Sequence, residues 1–168
     1  LSTISSYLQA GDCYQINLAQ RFSANYTGDE WQAYQRLRTA NQAPFSAFIR
    51  LTDNAIMSIS PERFLSVKDE VVQTKHIKGT RTRRDNAIED QQQVDSLLSA
   101  EKDRAENSMI VDLLRNDLSK HCQPGSVQVP QLFKLESFAA VHHLVSTVTG
   151  KLKKTSSAFD LLKGAFPG

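Results

Sequence analysis

"RFLSVKDEVVQTKHIKGTRTR", residues 63–83, decides the fold class. "RFLSV" and "VVQTKHI" are short runs rich in apolar and β-branched residues, and the polar "KDE" lies between them. That pattern predicts an antiparallel hairpin. Upstream, "PFSAFIRL", the turn "TDN" and "AIMSIS" predict another hairpin. Downstream, residues 79–86 read as a polar loop, followed by helices over about 87–98 and 100–119. "QPGS" is a turn, and residues 127–151 hold two strands. Thr155 or Ser156 caps a last helix through Leu162.

Toward the start, Leu1, Ile4 and Leu8 share a helical face that stops at Gly11. "CYQINLAQRFSA" alternates, with Tyr14, Ile16 and Leu18 on one side, and reads as a strand. Thr27 or Asp29 caps a helix carrying Trp31, Tyr34 and Leu37. Antiparallel strands flanked by helices make the expected class α+β rather than a doubly wound parallel sheet.

The totals set bounds. The chain has 168 residues, the size of one ordinary domain, and a formal charge of only +2. So small a charge gives no global attraction to nucleic acid or to an anionic membrane. No apolar run reaches the roughly 18 residues of a membrane span, and no signal peptide opens the chain. Cys13 and Cys122 fit neither a metal nor a disulfide pattern, which suits a cytoplasmic protein. The chain starts at Leu1 and ends in "FPG". We therefore expect residues 1–168 to be a single partial domain, cut from a longer protein.

Several residues could carry chemistry. Projected at about 100° per residue, Met109, Ile110, Leu113 and Leu114 form an apolar stripe with Glu106 near its middle and Asp117 beside it. A carboxylate there needs a partner: an arginine (Arg81, Arg83 or Arg104), a metal ion or a proton. An internal ion pair is the more frequent solution. Glu62 follows Ser60-Pro61 at a strand end; a helix start explains it more simply than a working acid does. Lys78 precedes Gly79, whose missing side chain lets a ligand approach the backbone. A solvated loop lysine is the commoner case; a nucleophile and a phosphate or nucleic-acid patch are the sharper ones. His142 and His143 are adjacent and face opposite sides of a strand, so one is expected buried and one exposed.

The chain resembles the catalytic domain of the chorismate-utilising enzymes. The motifs that carry this resemblance run in order: "GDCYQINLAQRF", "PFSAFI", "SPERFL", "IKGTRTR", "EKDRAENSMIVDLLRNDL", "PGSVQV" and "HLVSTVTG". The resemblance implies the N-terminal part of a sandwich of two packed antiparallel sheets with helices outside. It also implies a Mg²⁺ ion on the ring carboxylate of chorismate, with Glu106 as a ligand. Glu62 becomes a general acid/base, His143 lies near the reacting hydroxyl, and Gly79 and Thr80 lie beside the substrate.

Lys78 stands where anthranilate-forming members carry alanine. It points to the branch that converts chorismate and ammonia to 4-amino-4-deoxychorismate, on the way to p-aminobenzoate and folate. The lysine is the implied nucleophile. A glutamine amidotransferase subunit is the implied source of ammonia.

There are two departures from the family pattern. His76 replaces the usual proline, which would loosen the approach to Lys78, and the chain stops before the family's "GGSITGAPK". The chain alone is therefore expected to be inactive and to self-associate through exposed sheet edges. The alternatives are an anthranilate synthase component I or an isochorismate-forming member of the same family. From another class, the alternative is a non-catalytic module that binds anions or nucleic acid through residues 75–84.

Overall fold

A computed structural model of the chain describes residues 1–13 and 16–166. It begins with α1 (Ser2–Ala10), α2 (Glu30–Asn41) and the strands β1 (Ala47–Arg50), β2 (Ala55–Ser58), β3 (Arg63–Lys68) and β4 (Val71–Thr82). There follow α3 (Ala87–Leu98), α4 (Glu101–His121), β5 (Gln128–Ser137), β6 (Val141–Lys151) and α5 (Ala158–Ala165). The expected α+β class is what the chain adopts, and every strand pairing is antiparallel.

Both predicted hairpins form. β1 pairs with β2 alone, and β3 and β4 enter a four-stranded sheet in the order β3-β4-β6-β5. Asp69 and Glu70 turn the β3–β4 hairpin with φ of 50° and 64°, the positive values that a tight two-residue hairpin turn requires. β5 is an edge strand and tolerates Pro130, which has no N–H to give a neighbour.

β4 and β6 run side by side through the middle of the sheet. Their alternate residues Val72, Leu144, Ser146 and Val148 are buried beneath the helices. α4 lays Ile110, Val111, Leu114 and Leu118 onto that face, and Leu161 of α5 closes the cluster. The buried stripe of α4 is thus rotated from the expected one: Met109 is 48 % exposed, and the fully buried Asn107 takes the inward place. Asn107 is satisfied there. Ser146 Oγ donates to its Oδ1 at 2.6 Å, and its Nδ2 donates to the Leu144 carbonyl at 3.5 Å.

Other expectations are corrected. Tyr14 lies outside the described residues, and residues 16–27 form no strand. Their alternation is real, but none of the described strands offers them a ladder, and Leu18 and Phe22 are 74 % and 83 % exposed. The supposed loop after Ile77 remains strand to Thr82, because a bulge between Ile77 and Thr80 absorbs one extra residue. Ser157, not Thr155 or Ser156, caps α5, in a capping box with Asp160. Asp29 caps α2 by accepting from the Gln32 N–H at 2.8 Å. His142 and His143 are both buried, since helices cover one face of β6 while Phe138 packs against His143 on the other. Among the described residues, no helix is long and apolar enough to cross a membrane.

Leu118 has no exposed surface and sits in the middle of the core cluster. Leu118→Ala is expected to cost about 2–5 kcal/mol of unfolding free energy in urea denaturation. A cost under about 1 kcal/mol would mean that this helix face is not the core.

Candidate active site

The bulge of β4 places Lys78. Ile77 pairs with Val145 and Thr80 with His143, so β4 uses one residue more than β6 over that span. Gly79 supplies the required backbone, with φ at 82°. A Cβ there would lie 2.8 Å from Leu97 Cδ1 and 3.1 Å from Asp103 Oδ2. On that side the glycine is filled by protein and is not open to a ligand.

Lys78 reaches across to α4, where its Nζ lies 3.0 Å from Glu106 Oε1. Glu106 is therefore not stranded in an apolar stripe. Its side chain is 39 % exposed, and its partner is none of the three arginines considered above. A pair this exposed contributes at most about 1 kcal/mol to stability.

Glu62 is positioned by the end of β3. Arg63 pairs with Lys75, and Pro61 stops the strand from going further. Beyond that point Glu62 Oε1 accepts from the Ile77 N–H at 2.8 Å, and it lies 2.8 Å from His76 Nδ1. No helix starts here. Burial pushes the Glu62 carboxyl up, but the hydrogen bonds from His76 and Ile77 and the charges of His76 and Lys78 outweigh it, so it ends below its ordinary value.

Glu62, His76 and Lys78 line one cavity of about 690 Å³, whose α4 wall is Ile110, Leu113 and Leu114. Asp12, Asn17, Lys75 and Arg63 add polar groups around it. An apolar wall with a few converging polar groups is the usual character of a small-molecule site. A second groove, of about 730 Å³, is bordered by Gln35, Arg38 and Thr39 and by no carboxylate or histidine.

His143 is not on that side. β6 alternates, so His143 faces away from the helices, where its Nδ1 lies 2.8 Å from Thr80 Oγ1. Burial lowers its proton affinity against the opposing pull of Glu136 and Glu62, which favours the neutral ring. The predicted residues therefore fall into two groups. Lys78, Glu106 and Glu62 stand on the helix side, and Thr80 with His143 on the other. Glu62, at the open edge of β4, is the charge that both groups feel.

Sequence reasoning passed over His76, noting only that it replaces a proline. The period of two that puts it on the face of Lys78 is the signal that could have found it. Far from loosening the segment, His76 is tied to Glu62.

Most of the basic stretch is neutralised by ion pairs. Lys75 pairs with Glu136 at 2.7 Å, Arg81 with Asp103 at 3.4 Å and Arg83 with Asp90 at 3.0 Å. A nucleic-acid patch needs such charges free to meet phosphates.

Metal binding can be judged by donor chemistry. Among the described residues, no three His, Cys, Asp or Glu side chains gather to hold an ion. Mg²⁺ takes one or two carboxylates and completes its shell with water and substrate oxygens. Glu106 fits as one such ligand, not as part of a closed cage.

Residues 1–168 match the profile of the chorismate binding enzyme family, and the chain belongs to that family. It is 56 % identical over 165 residues to aminodeoxychorismate synthase component 1 of Salmonella typhimurium, a match covering 98 % of this chain and 36 % of that protein. It is 40 % identical over 164 residues to anthranilate synthase component 1 of Bacillus subtilis, covering 98 % of this chain and 32 % of that one. The crystal structure of anthranilate synthase component I from Streptococcus pneumoniae TIGR4 superposes with a TM-score of 0.86 at 38 % identity, covering 99 % of this chain and 36 % of the other. The chain thus spans about a third of the length of these relatives.

Asp90 ties α3 to the sheet and gives a pH test. It accepts from the Arg84 N–H at 2.9 Å, from Arg83 Nε at 3.0 Å and from His142 Nε2 at 3.0 Å. The Arg84 amide first, then the Arg83 guanidinium, holds its carboxyl at about 2. The unfolded value is about 3.9, so this stabilisation is complete above that pH and is lost as pH falls through about 2. Thermal melts of Asp90→Asn should fall below those of the parent at pH 6, and the gap should close near pH 2. A gap that does not depend on pH would contradict the assignment.

Proposed function

We propose that this chain forms part of an aminodeoxychorismate synthase component I, which converts chorismate and ammonia to 4-amino-4-deoxychorismate. The observation that carries this reading is Lys78, set 3.0 Å from Glu106 at a cavity that also holds Glu62. Identity of 56 % to an aminodeoxychorismate synthase against 40 % to an anthranilate synthase supports the same product.

The chemistry follows from the side chains. A lysine attacks only as the free amine, so Lys78 first passes a proton to the neighbouring Glu62 carboxylate. Its nitrogen then bonds to C2 of chorismate, the ring double bond shifts, and the C4–O bond breaks. Glu62 hands that proton on to the departing hydroxyl, which leaves as water. Ammonia adds at C4, the double bond shifts back, and the lysine is released.

Mg²⁺, with Glu106 as one ligand, would neutralise the ring carboxylate of the substrate. Thr80 and the neutral ring of His143 lie on the opposite face of the sheet from this cavity, and no step is assigned to them. Ammonia would come from a glutamine amidotransferase subunit, in a cytoplasmic route to p-aminobenzoate and folate. The chain alone would lack activity and self-associate, because it spans about a third of its relatives and leaves Leu18, Phe22 and Ile56 exposed.

The test uses the full-length enzyme with chorismate, Mg²⁺ and ammonium. Lys78→Ala should lower aminodeoxychorismate formation by about 10²-fold or more, with chorismate binding retained. An unchanged rate and product would remove the nucleophile.

A further inference from the structure

Two histidines of the sheet, His142 and His76, differ in how their ring nitrogens are used. His142 uses both ring nitrogens, one 2.7 Å from Ser137 Oγ and one 3.0 Å from Asp90 Oδ1. His76 uses one. Its Nδ1 lies 2.8 Å from Glu62 Oε1, while its Nε2 is buried with no hydrogen-bond partner. A ring retained for stability alone would not leave a buried nitrogen orphaned, since an apolar side chain fills such a place without that cost. What His76 adds over an apolar residue is the contact to Glu62.

That contact falls at a particular place. β3 ends its pairing at Arg63–Lys75, so the Ile77 N–H lies on an edge of β4 that no strand covers. Glu62 Oε1 receives both this N–H and His76 Nδ1, each at 2.8 Å. Two donors from successive residues of one strand fix the carboxylate in direction, not only in position.

We propose that His76 is a positioning residue for proton transfer in this cavity, its Nδ1–H clamping the Glu62 carboxylate against the open edge of β4 beside Lys78. The proposal rests on the reading of Glu62 as the proton donor. When the Glu62 O–H bond breaks and the substrate hydroxyl leaves as water, negative charge appears on the Glu62 carboxylate. The His76 N–H already points at the oxygen where that charge develops. The same donor makes Glu62 hold its proton less tightly at rest, in line with the carboxyl lying below its ordinary value.

The charged and titratable groups around Glu62 are His76 and Lys78 on β4, Arg63 next in the chain, His143 on β6 and Asp12 across the cavity. α4 lines the cavity with Ile110, Leu113 and Leu114, its Glu106 lies 3.0 Å from Lys78, and Lys75 of β4 also borders the cavity.

The experiment compares His76→Ala, His76→Asn and Glu62→Gln in the full-length enzyme. An asparagine amide places an N–H about where Nδ1 stands. His76→Ala should lower kcat about tenfold or more, with KM for chorismate within about twofold. Its acid pH limb should move upward, because Glu62 without the His76 donor takes up a proton at higher pH. His76→Asn should restore rate and limb in part. In ¹⁵N NMR of the labelled enzyme, His76 should carry its proton on Nδ1, and Glu62→Gln should change that signal.

A His76→Ala enzyme with the parent's rate and pH profile overturns the proposal, as does a His76→Asn enzyme no better than His76→Ala. If His76→Ala does not fold, the NMR signature and His76→Asn decide; a bare Nδ1 in the parent enzyme also overturns it. A fully active Glu62→Gln enzyme sinks the reading of Glu62 itself. An inactive Glu62→Gln beside a normal His76→Ala sinks only the role of His76.

Discussion

The extra residue that β4 inserts opposite β6 is the constraint on which the site depends. Before the bulge, Lys75 and Ile77 face away from the helices while Thr74 and His76 face them. After it the parity is reversed, so Thr80 meets His143 on the far face while Lys78 remains directed at α4. A regular strand would turn Thr80 toward the helices and away from His143. Gly79 makes the bulge possible with its positive φ, and Leu97 and Asp103 pack into the space where a side chain would stand.

Electrostatics decides between the candidate functions of the basic stretch. Four of its five lysines and arginines are matched to a carboxylate from another element: Glu136 on β5, Glu106 and Asp103 on α4, and Asp90 on α3. These pairs are half-exposed and contribute little to stability individually. They hold the segment in one place and discharge it, which suits a shaped small-molecule cavity better than a polyanion track. Lys78 differs from the others in position: it borders a cavity walled by apolar residues of α4, where a bound ring would shield it from water.

Much of this was legible in the chain. The two hairpins, α3, α4 and the β5–β6 pair follow from local signals: turn residues, β-branched runs and helical spacing. The motifs around Glu62, Lys78 and Glu106 carried the family. What local pattern could not supply was pairing across the fold. Spacing alone leaves Glu106 a charge in need of an arginine, a metal ion or a proton, because only the packing of α4 on β4 brings Lys78 to it. The alternating residues after Tyr14 looked like a strand, but a strand also needs a neighbour, and none of the described strands provides one. One histidine of the 142–143 pair was expected exposed, because one strand's sequence does not say whether both faces of its sheet are covered. His76 drew notice only as a departure from a motif; its contact with Glu62 depends on where β3 stops.

The most direct measurement is intact-protein and peptide mass spectrometry of the full-length enzyme, quenched during reaction with chorismate and Mg²⁺ in the absence of ammonia. The account predicts that part of the enzyme carries chorismate less one water, attached at Lys78, and that added ammonium discharges it. An enzyme that forms aminodeoxychorismate at its normal rate, yet shows no such adduct on Lys78 at any quench time, would contradict it.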